Sequence, residues 1–284
     1  MPESVNVVVS RRAACGEGPY WDTVSDTVVW VDIVGKQVLR STIGGGTTAI
    51  EYPEMVGAAA PRANGGLVLA VESGFAVLDA AGAVTRRIDI LSPGIRMNDA
   101  KVDPGGRYWA GSCAMDFGAG LGGLWRLDEH LTAELILPGL TQPNGIGWSP
   151  DGTAMYLVET QDRRVLRFDF DPETSAITSE PTVIARDFGG YPDGLAVSAD
   201  GHLWLAEFGG SAVHELDADG TVLRSIPIPT AQPTSCAFVG PGLRTLWVTS
   251  AAAGLAAERE PVAGSVFEIS GHGAVGTPVA LFRG

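Results

Sequence analysis

Residues 200–208 read DGHLWLAEF, a turn-forming Asp-Gly pair followed by an apolar run centred on Trp204. The same unit occurs five more times: SDTVVWVDI around Trp30, NGGLVLAVES around Leu69, PGGRYWAGS around Trp109, DGTAMYLVET around Tyr156 and GLRTLWVTS around Trp247. Successive anchors stand 39, 40, 47, 48 and 43 residues apart. That period suits four short strands and their turns, the unit of one propeller blade. A β-sandwich has no reason to repeat a strand-turn unit so regularly, and a β-helix would show a shorter period. The expectation is an all-β chain forming a six-bladed β-propeller around a central channel, with residues 1–284 as a single domain. Closure of the ring matters because an open sheet would leave its edges unpaired. The β-like segments 5–9 and 266–269 are placed to meet in one blade and fasten the ends together.

Composition narrows the function. The 284 residues are 45% hydrophobic with no apolar stretch approaching the roughly 18 residues of a membrane span. Met1 to Val9 lacks a basic segment followed by an apolar stretch and a small-residue cleavage site, so the cytoplasm is the expected compartment. Cys15, Cys113 and Cys236 form no CxxC and cannot all pair with one another, which suits buried thiols in a reducing environment. A formal net charge of −14 with no Lys/Arg cluster disfavours nucleic acid and anionic membrane. A small molecule is the expected partner, and the chain is read as a monomer or small homo-oligomer.

Upstream of four anchors lies a recurrent polar residue. Glu17 is 13 residues before Trp30, Asn98 11 before Trp109, Asn144 12 before Tyr156, and Asp193 11 before Trp204. Their contexts are GEGP, RMND, QPNG and YPDG. Matching places in successive blades are related by rotation about the ring axis, so all four side chains would converge on the channel. Two carboxylates and two amide oxygens there form a hard-oxygen cage suited to Ca²⁺, Mg²⁺ or Mn²⁺, and acceptable to Zn²⁺. Asn-Gly and Asp-Gly are also common turn signals, which is how Asp151-Gly152, Asp200-Gly201 and Asp219-Gly220 are read. The shared offset separates Asn144 and Asp193 from those turns. GxSxG, GxxxxGK[ST] and HExxH motifs are missing, and His130, His202, His214 and His272 fall at no ligand-like spacing. The seven tryptophans are read as blade packing.

At GEGPYWD, RMNDAKVDPGGRYWAG, QPNGIGWSPDGTAMY, YPDGLAVSADGHLWLA and PTSCAF followed by LWVTSA, the chain resembles the senescence-marker-protein, gluconolactonase and luciferin-regenerating-enzyme-like family, from about Cys15 to Ala252. The resemblance implies one divalent cation, Ca²⁺, Zn²⁺, Mn²⁺, Mg²⁺ or Fe²⁺, on ligands matching Glu17, Asn144 and Asp193. It implies substrate contacts at Arg96, Asn98 and Asp116, and hydrolysis of a sugar lactone; because a carboxylate at the metal can accept a proton from water, Asp193 is read as the general base. The chain departs from the family pattern at Glu159 and Ser198, where members often have Asp, and at FVGPG (238–242), where an aromatic-Gly-Gly stretch is usual. Two rival readings are another metal-dependent ester or organophosphate hydrolase on the same scaffold, and a propeller that binds Ca²⁺ or a protein without turnover.

Overall fold

The computed structural model describes residues 3–284; Met1 and Pro2 lie outside it. It contains six antiparallel sheets and no helix among the described residues, and thus no helix long and apolar enough to cross a membrane. Blade 1 begins with strand Gly16–Asp22, blade 2 with Val56–Pro61, blade 3 with Ile95–Val102, blade 4 with Pro143–Trp148, blade 5 with Tyr191–Val197 and blade 6 with Pro233–Val239. Each of these six touches the corresponding strand of the blades on either side, so together they close a ring. The chain forms a six-bladed β-propeller.

Within a blade the chain runs outward as a meander, and burial follows this order. The first strand of blade 1 is buried along its whole length, whereas the fourth, Thr47–Glu51, is largely exposed. The turn from first to second strand carries a left-handed residue in every blade: Asp26, Gly66, Gly106, Gly152, Gly201 and Gly242. The anchors Trp30, Leu69, Trp109, Tyr156, Trp204 and Trp247 sit on the second strands and are at most 2% exposed, so they pack between blades. Trp30 Nε1 donates to Ser41 Oγ at 2.9 Å and Trp109 Nε1 to Asp103 Oδ2 at 2.8 Å, so burial of these two indoles leaves no donor unmet, whereas Trp204 Nε1 is buried without a partner.

Blade 6 closes the ring. Strand Ser4–Val9 pairs antiparallel with Val266–Ser270, with Val5 opposite Ile269 and Val7 opposite Phe267. Blade 4 departs from the four-strand plan, because Arg164–Asp171 pairs with both Ala176–Ile177 and Thr182–Arg186. The C-terminal tail, which the repeat did not foretell, crosses the end of the channel opposite the polar residues. Its Gly276 bridges Ser198 of blade 5 and its Phe282 bridges Arg62 of blade 2. Tyr20 Oη donates to Ala280 O at 2.6 Å on the way. Between the tail and the first strands lies a cavity of about 420 Å³ bounded by Tyr20, Trp148, Phe238, Val279 and Lys101.

Candidate metal centre

The four polar residues lie in the upper part of the first strand of their blades. Each follows a first-strand residue that pairs at or near the upper end of the second strand: Gly16 with Asp32, Met97 with Ser112, Pro143 with Glu159, and Pro192 with Glu207. The equivalent residues in blades 2 and 6 are Gly57 and Thr234, beyond the Val56–Val71 and Pro233–Ser250 pairs. A bulge re-aims this part of every first strand. It takes up Asn98 and Asp99 in blade 3, Asn144 and Gly145 in blade 4, and Asp193 and Gly194 in blade 5. In blade 1 it falls one residue later, at Gly18 and Pro19. Glu17 therefore keeps its ladder partner Val31.

The glycines after Asn144 and Asp193 are not turn glycines. Gly152, Gly201 and Gly220 have φ of 72°, 87° and 88°, as Asp-Gly turns require, whereas Gly145 and Gly194 have no positive φ. They are small because the neighbouring blade approaches closely. A Cβ on Gly145 would lie 2.6 Å from Asp193 O, and one on Gly194 would lie 2.4 Å from Ser235 Cβ.

A second repeated device holds the segment leading into three of the four positions. Asp32 accepts from Ala14 N and Cys15 N at 2.9 and 3.0 Å. Glu159 accepts from Thr141 N and Gln142 N at 3.0 and 2.6 Å, and Glu207 from Gly190 N at 2.6 Å. All three carboxylates are buried, where an amide N–H left unpaired is costly. They occur in blades 1, 4 and 5, the blades of Glu17, Asn144 and Asp193. Thr160 couples two of these blades: it accepts from Asn144 Nδ2 at 3.2 Å and donates to Pro192 O at 2.8 Å.

Glu17, Asn98, Asn144 and Asp193 are all buried. Asn144 Nδ2 donates to Asp193 Oδ1 across the blade boundary, and Gly18 N donates to Glu17 Oε2 at 2.7 Å. Burial pushes the Glu17 carboxyl well above the usual range, with Asp193 and then Asp99 adding to the rise. Burial and the Asp99 charge do the same to Asp193, and burial raises Asp99. Asn144 Oδ1 is buried without any hydrogen-bond partner. An orphaned oxygen beside two carboxylates that destabilise one another is the arrangement a hard cation would relieve. The donors present thus fit a divalent cation held by Glu17, Asn144 and Asp193. Among the described residues no three His, Cys, Asp or Glu side chains gather at ligand spacing, so the site depends on the Asn144 amide oxygen.

Arg96 stands half-buried above this cluster. Its Nη1 donates to Asn98 Oδ1 at 2.8 Å and to Met97 O at 2.9 Å. It enters no ion pair among the described residues, which leaves its other N–H groups available. Asn98 Nδ2 in turn donates to Pro143 O at 3.1 Å. Asp116 is not joined to this network: it is exposed in the loop after Tyr108–Ala114, and its Oδ1 accepts from Gly118 N at 3.0 Å. Asp99, Lys101, Thr160, Asp32 and Glu207 were not singled out from sequence, although each lies within or beside a quoted motif, and Glu159 was noted only as a departure from the family pattern. All three thiols are free; Cys113 and Cys236 are buried as expected, but Cys15 is only half-buried. His214 meets Glu207 Oε2 at 2.8 Å and Ser225 Oγ at 2.7 Å, a constellation unseen in the sequence because its members lie on three adjacent strands. None of the three lines the channel cavity.

Buried oxygen donors at one end of a six-bladed propeller's channel define the class of protein. The SMP-30/Gluconolactonase/LRE-like region matches residues 15–252, and the chain belongs to that family. It is 34% identical over 278 residues to a 6-deoxy-6-sulfogluconolactonase of Pseudomonas putida, covering 94% of each chain. It is also 34% identical over 251 residues to the pentonolactonase XacC of Haloferax volcanii, covering 87% of this chain and 85% of the relative. Among solved structures, the calcium-binding protein regucalcin from Agrobacterium tumefaciens superposes with a TM-score of 0.91 at 30% identity, covering 98% of this chain and 96% of that one.

Proposed function

We propose that this chain hydrolyses a sugar lactone, an aldono-1,4- or 1,5-lactone, to the sugar acid, with one divalent cation held by Glu17, Asn144 and Asp193. The observation that carries the reading is the buried, unpartnered Oδ1 of Asn144, whose Nδ2 donates to the buried Asp193 carboxylate that in turn acts on Glu17. Relatives named as lactonases across most of the chain support the reaction class. When bound, the cation supplies Lewis-acid polarisation of the lactone carbonyl and favours ionisation of water.

The side chains divide the remaining work. Asp193 accepts a proton from the water that attacks the carbonyl carbon, and returns it to the ring oxygen as the ring C–O bond breaks. Glu17 balances charge. Arg96, held by Asn98 Oδ1 and Met97 O, directs its free N–H groups toward hydroxyls or the carbonyl oxygen of the ring. Asn98 keeps Arg96 in place and ties it to the blade 4 backbone through Pro143 O. Asp116, on its exposed loop, is assigned to sugar hydroxyls at the mouth.

A pH-stat assay over a panel of aldonolactones, with and without chelator, tests the reading. Turnover of a sugar lactone that is lost on chelation and regained with added cation supports it. Turnover of phosphotriesters or aryl esters alone, or cation binding with no turnover of any ester, overturns it.

A further inference from the structure

His214, on the third strand of blade 5 (Ala212–Leu216), meets the segment that delivers Asp193 in two ways. Its Nε2 lies 2.8 Å from Glu207 Oε2, and the other oxygen of that carboxylate, Oε1, accepts from Gly190 N at 2.6 Å. Its ring also packs against Phe188, with centroids 6.2 Å apart and planes tilted by 41°. Phe188 and Gly190 both belong to the short stretch that runs into Asp193. The side chains of His214 and Glu207 are only 13% and 7% exposed, so their bond is little screened by water.

The lead-in of blade 5 is held differently from those of blades 1 and 4. Asp32 accepts from Ala14 N and Cys15 N, and Glu159 from Thr141 N and Gln142 N. Glu207 receives one lead-in amide, and His214 takes the place of the second. The chain so held reads Asp187-Phe188-Gly189-Gly190, with Asp187 in the left-handed region at φ 65°. Two successive glycines lose more conformational freedom on ordering than any other pair of residues, so this lead-in depends most on an outside anchor. A carboxylate only accepts, so Nε2 carries the ring proton toward Glu207, and Nδ1 of the neutral ring accepts from Ser225 Oγ at 2.7 Å. The tautomer is thereby set from both sides, and both Glu207 oxygens are satisfied in one orientation.

We propose that His214 is a positioning residue for Asp193, acting through Glu207 and Phe188 to fix the blade 5 segment from which Asp193 serves the cation and the attacking water. This rests on the cation and lactonase reading above. Arg96 and Asn98 belong to blade 3 and take no part in the relay. Loss of His214 therefore acts on cation affinity and kcat and leaves KM nearly unchanged, a division that general loosening of the fold does not produce.

The test compares wild type with His214→Phe, which keeps a ring against Phe188 but has no N–H for Glu207. Calorimetric titration of Mn²⁺ into metal-stripped protein is set beside kcat and KM for a gluconolactone at saturating Mn²⁺. His214→Phe is expected to bind Mn²⁺ about tenfold more weakly and to lose about tenfold in kcat, the lower end of what outer partners of metal ligands contribute, with KM within about twofold. His214→Asn, too short to reach Glu207, takes its place if His214→Phe does not fold. His214→Gln, whose amide N–H can replace Nε2, is expected to recover most of both losses. His202→Leu breaks another histidine–carboxylate pair of blade 5, to Glu215 at 2.8 Å, and is expected to lower Tm while kcat and Mn²⁺ affinity stay within about twofold of wild type. Wild-type kcat and Mn²⁺ affinity in a folded His214→Phe or His214→Asn protein overturn the role given to His214. So does a His214→Gln protein no better than His214→Phe, or a His202→Leu protein equally impaired. Failure of wild type itself to bind Mn²⁺ or to turn over lactone overturns the underlying reading, and the role of His214 with it.

Discussion

Replacing Gly194 by alanine tests whether the glycine after Asp193 serves close approach of blades rather than a turn. The new Cβ would stand 2.0 Å from Ser235 Oγ, 2.4 Å from Ser235 Cβ and 2.7 Å from Ser235 Cα. A hydroxyl can rotate away, but the Cα belongs to the buried first strand of blade 6, so blades 5 and 6 must separate. Overpacking of this kind costs about 1–3 kcal/mol, and a backbone obstacle puts Gly194→Ala near the upper end, about 3 kcal/mol. At about 2–4 °C per kcal/mol for a chain somewhat smaller than this one, Tm should fall by about 6–12 °C. Asp193 is the adjacent residue, and misplacement of a catalytic group by about 1 Å can reduce turnover by about 10²-fold. Thermal unfolding followed by circular dichroism, with lactone turnover measured on the same preparation, reads both effects. Gly46→Ala is the control, since Gly46 has open space around it and no positive φ. A Gly194→Ala protein with wild-type Tm and turnover would refute the close-approach reasoning.

Four further outcomes are expected. Asp193→Asn should abolish lactone turnover while far-ultraviolet circular dichroism stays unchanged; full activity would remove Asp193 as the base. A divalent cation at 100 times its Kd should stabilise chelator-treated protein by about 2.7 kcal/mol in urea unfolding, and Asn144→Ala should lose most of that increment. Glu159→Ala strands the amides of Thr141 and Gln142 and should cost about 2–3 kcal/mol in the same assay, since hydrogen bonds to a charged group are worth roughly 1.5–3 kcal/mol. His272, buried between Trp204 and Phe238, has its ring held below the usual histidine range by burial and then by Arg224. The unfolded chain then binds the proton more readily, so stability present above about pH 6.5 is lost as the pH falls below it. Stability curves at pH 7.5 and 5.5 should show a smaller acid loss in His272→Phe than in wild type; equal losses would sink this assignment.

The ring was legible because its signal is redundant: six bulky anchors, each behind a turn, survive even where Leu69 replaces an aromatic residue. Pairing of Ser4–Val9 with Val266–Ser270 could be foreseen because β-like segments at the two ends of the chain can share one blade and fasten the ring. The shared place of Asn98, Asn144 and Asp193 was visible in the spacing, but the one-residue shift of the blade 1 bulge was not. Trp30 stands three residues beyond the last laddered residue Thr27, whereas Trp109 and Trp204 stand one beyond Tyr108 and Leu203, so Glu17 could be matched only by approximate distance. Asp99 and Lys101 stayed hidden for a related reason: the bulge after Asn98 decides which of the residues that follow face the channel. The anchoring role of Asp32, Glu159 and Glu207 was not legible, because their amide partners lie 17 or 18 residues upstream across a strand pairing. The tail across the lower mouth carries no repeat of its own, and its hydrogen bonds reach blades distant in sequence.

The decisive measurement is anomalous diffraction from crystals soaked in Mn²⁺. A single peak is expected on the channel axis, within about 2.0–2.6 Å of a Glu17 oxygen, Asn144 Oδ1 and an Asp193 oxygen. A peak elsewhere in the molecule, or one that Asn144 Oδ1 does not reach, would contradict the metal centre, though the propeller itself would stand.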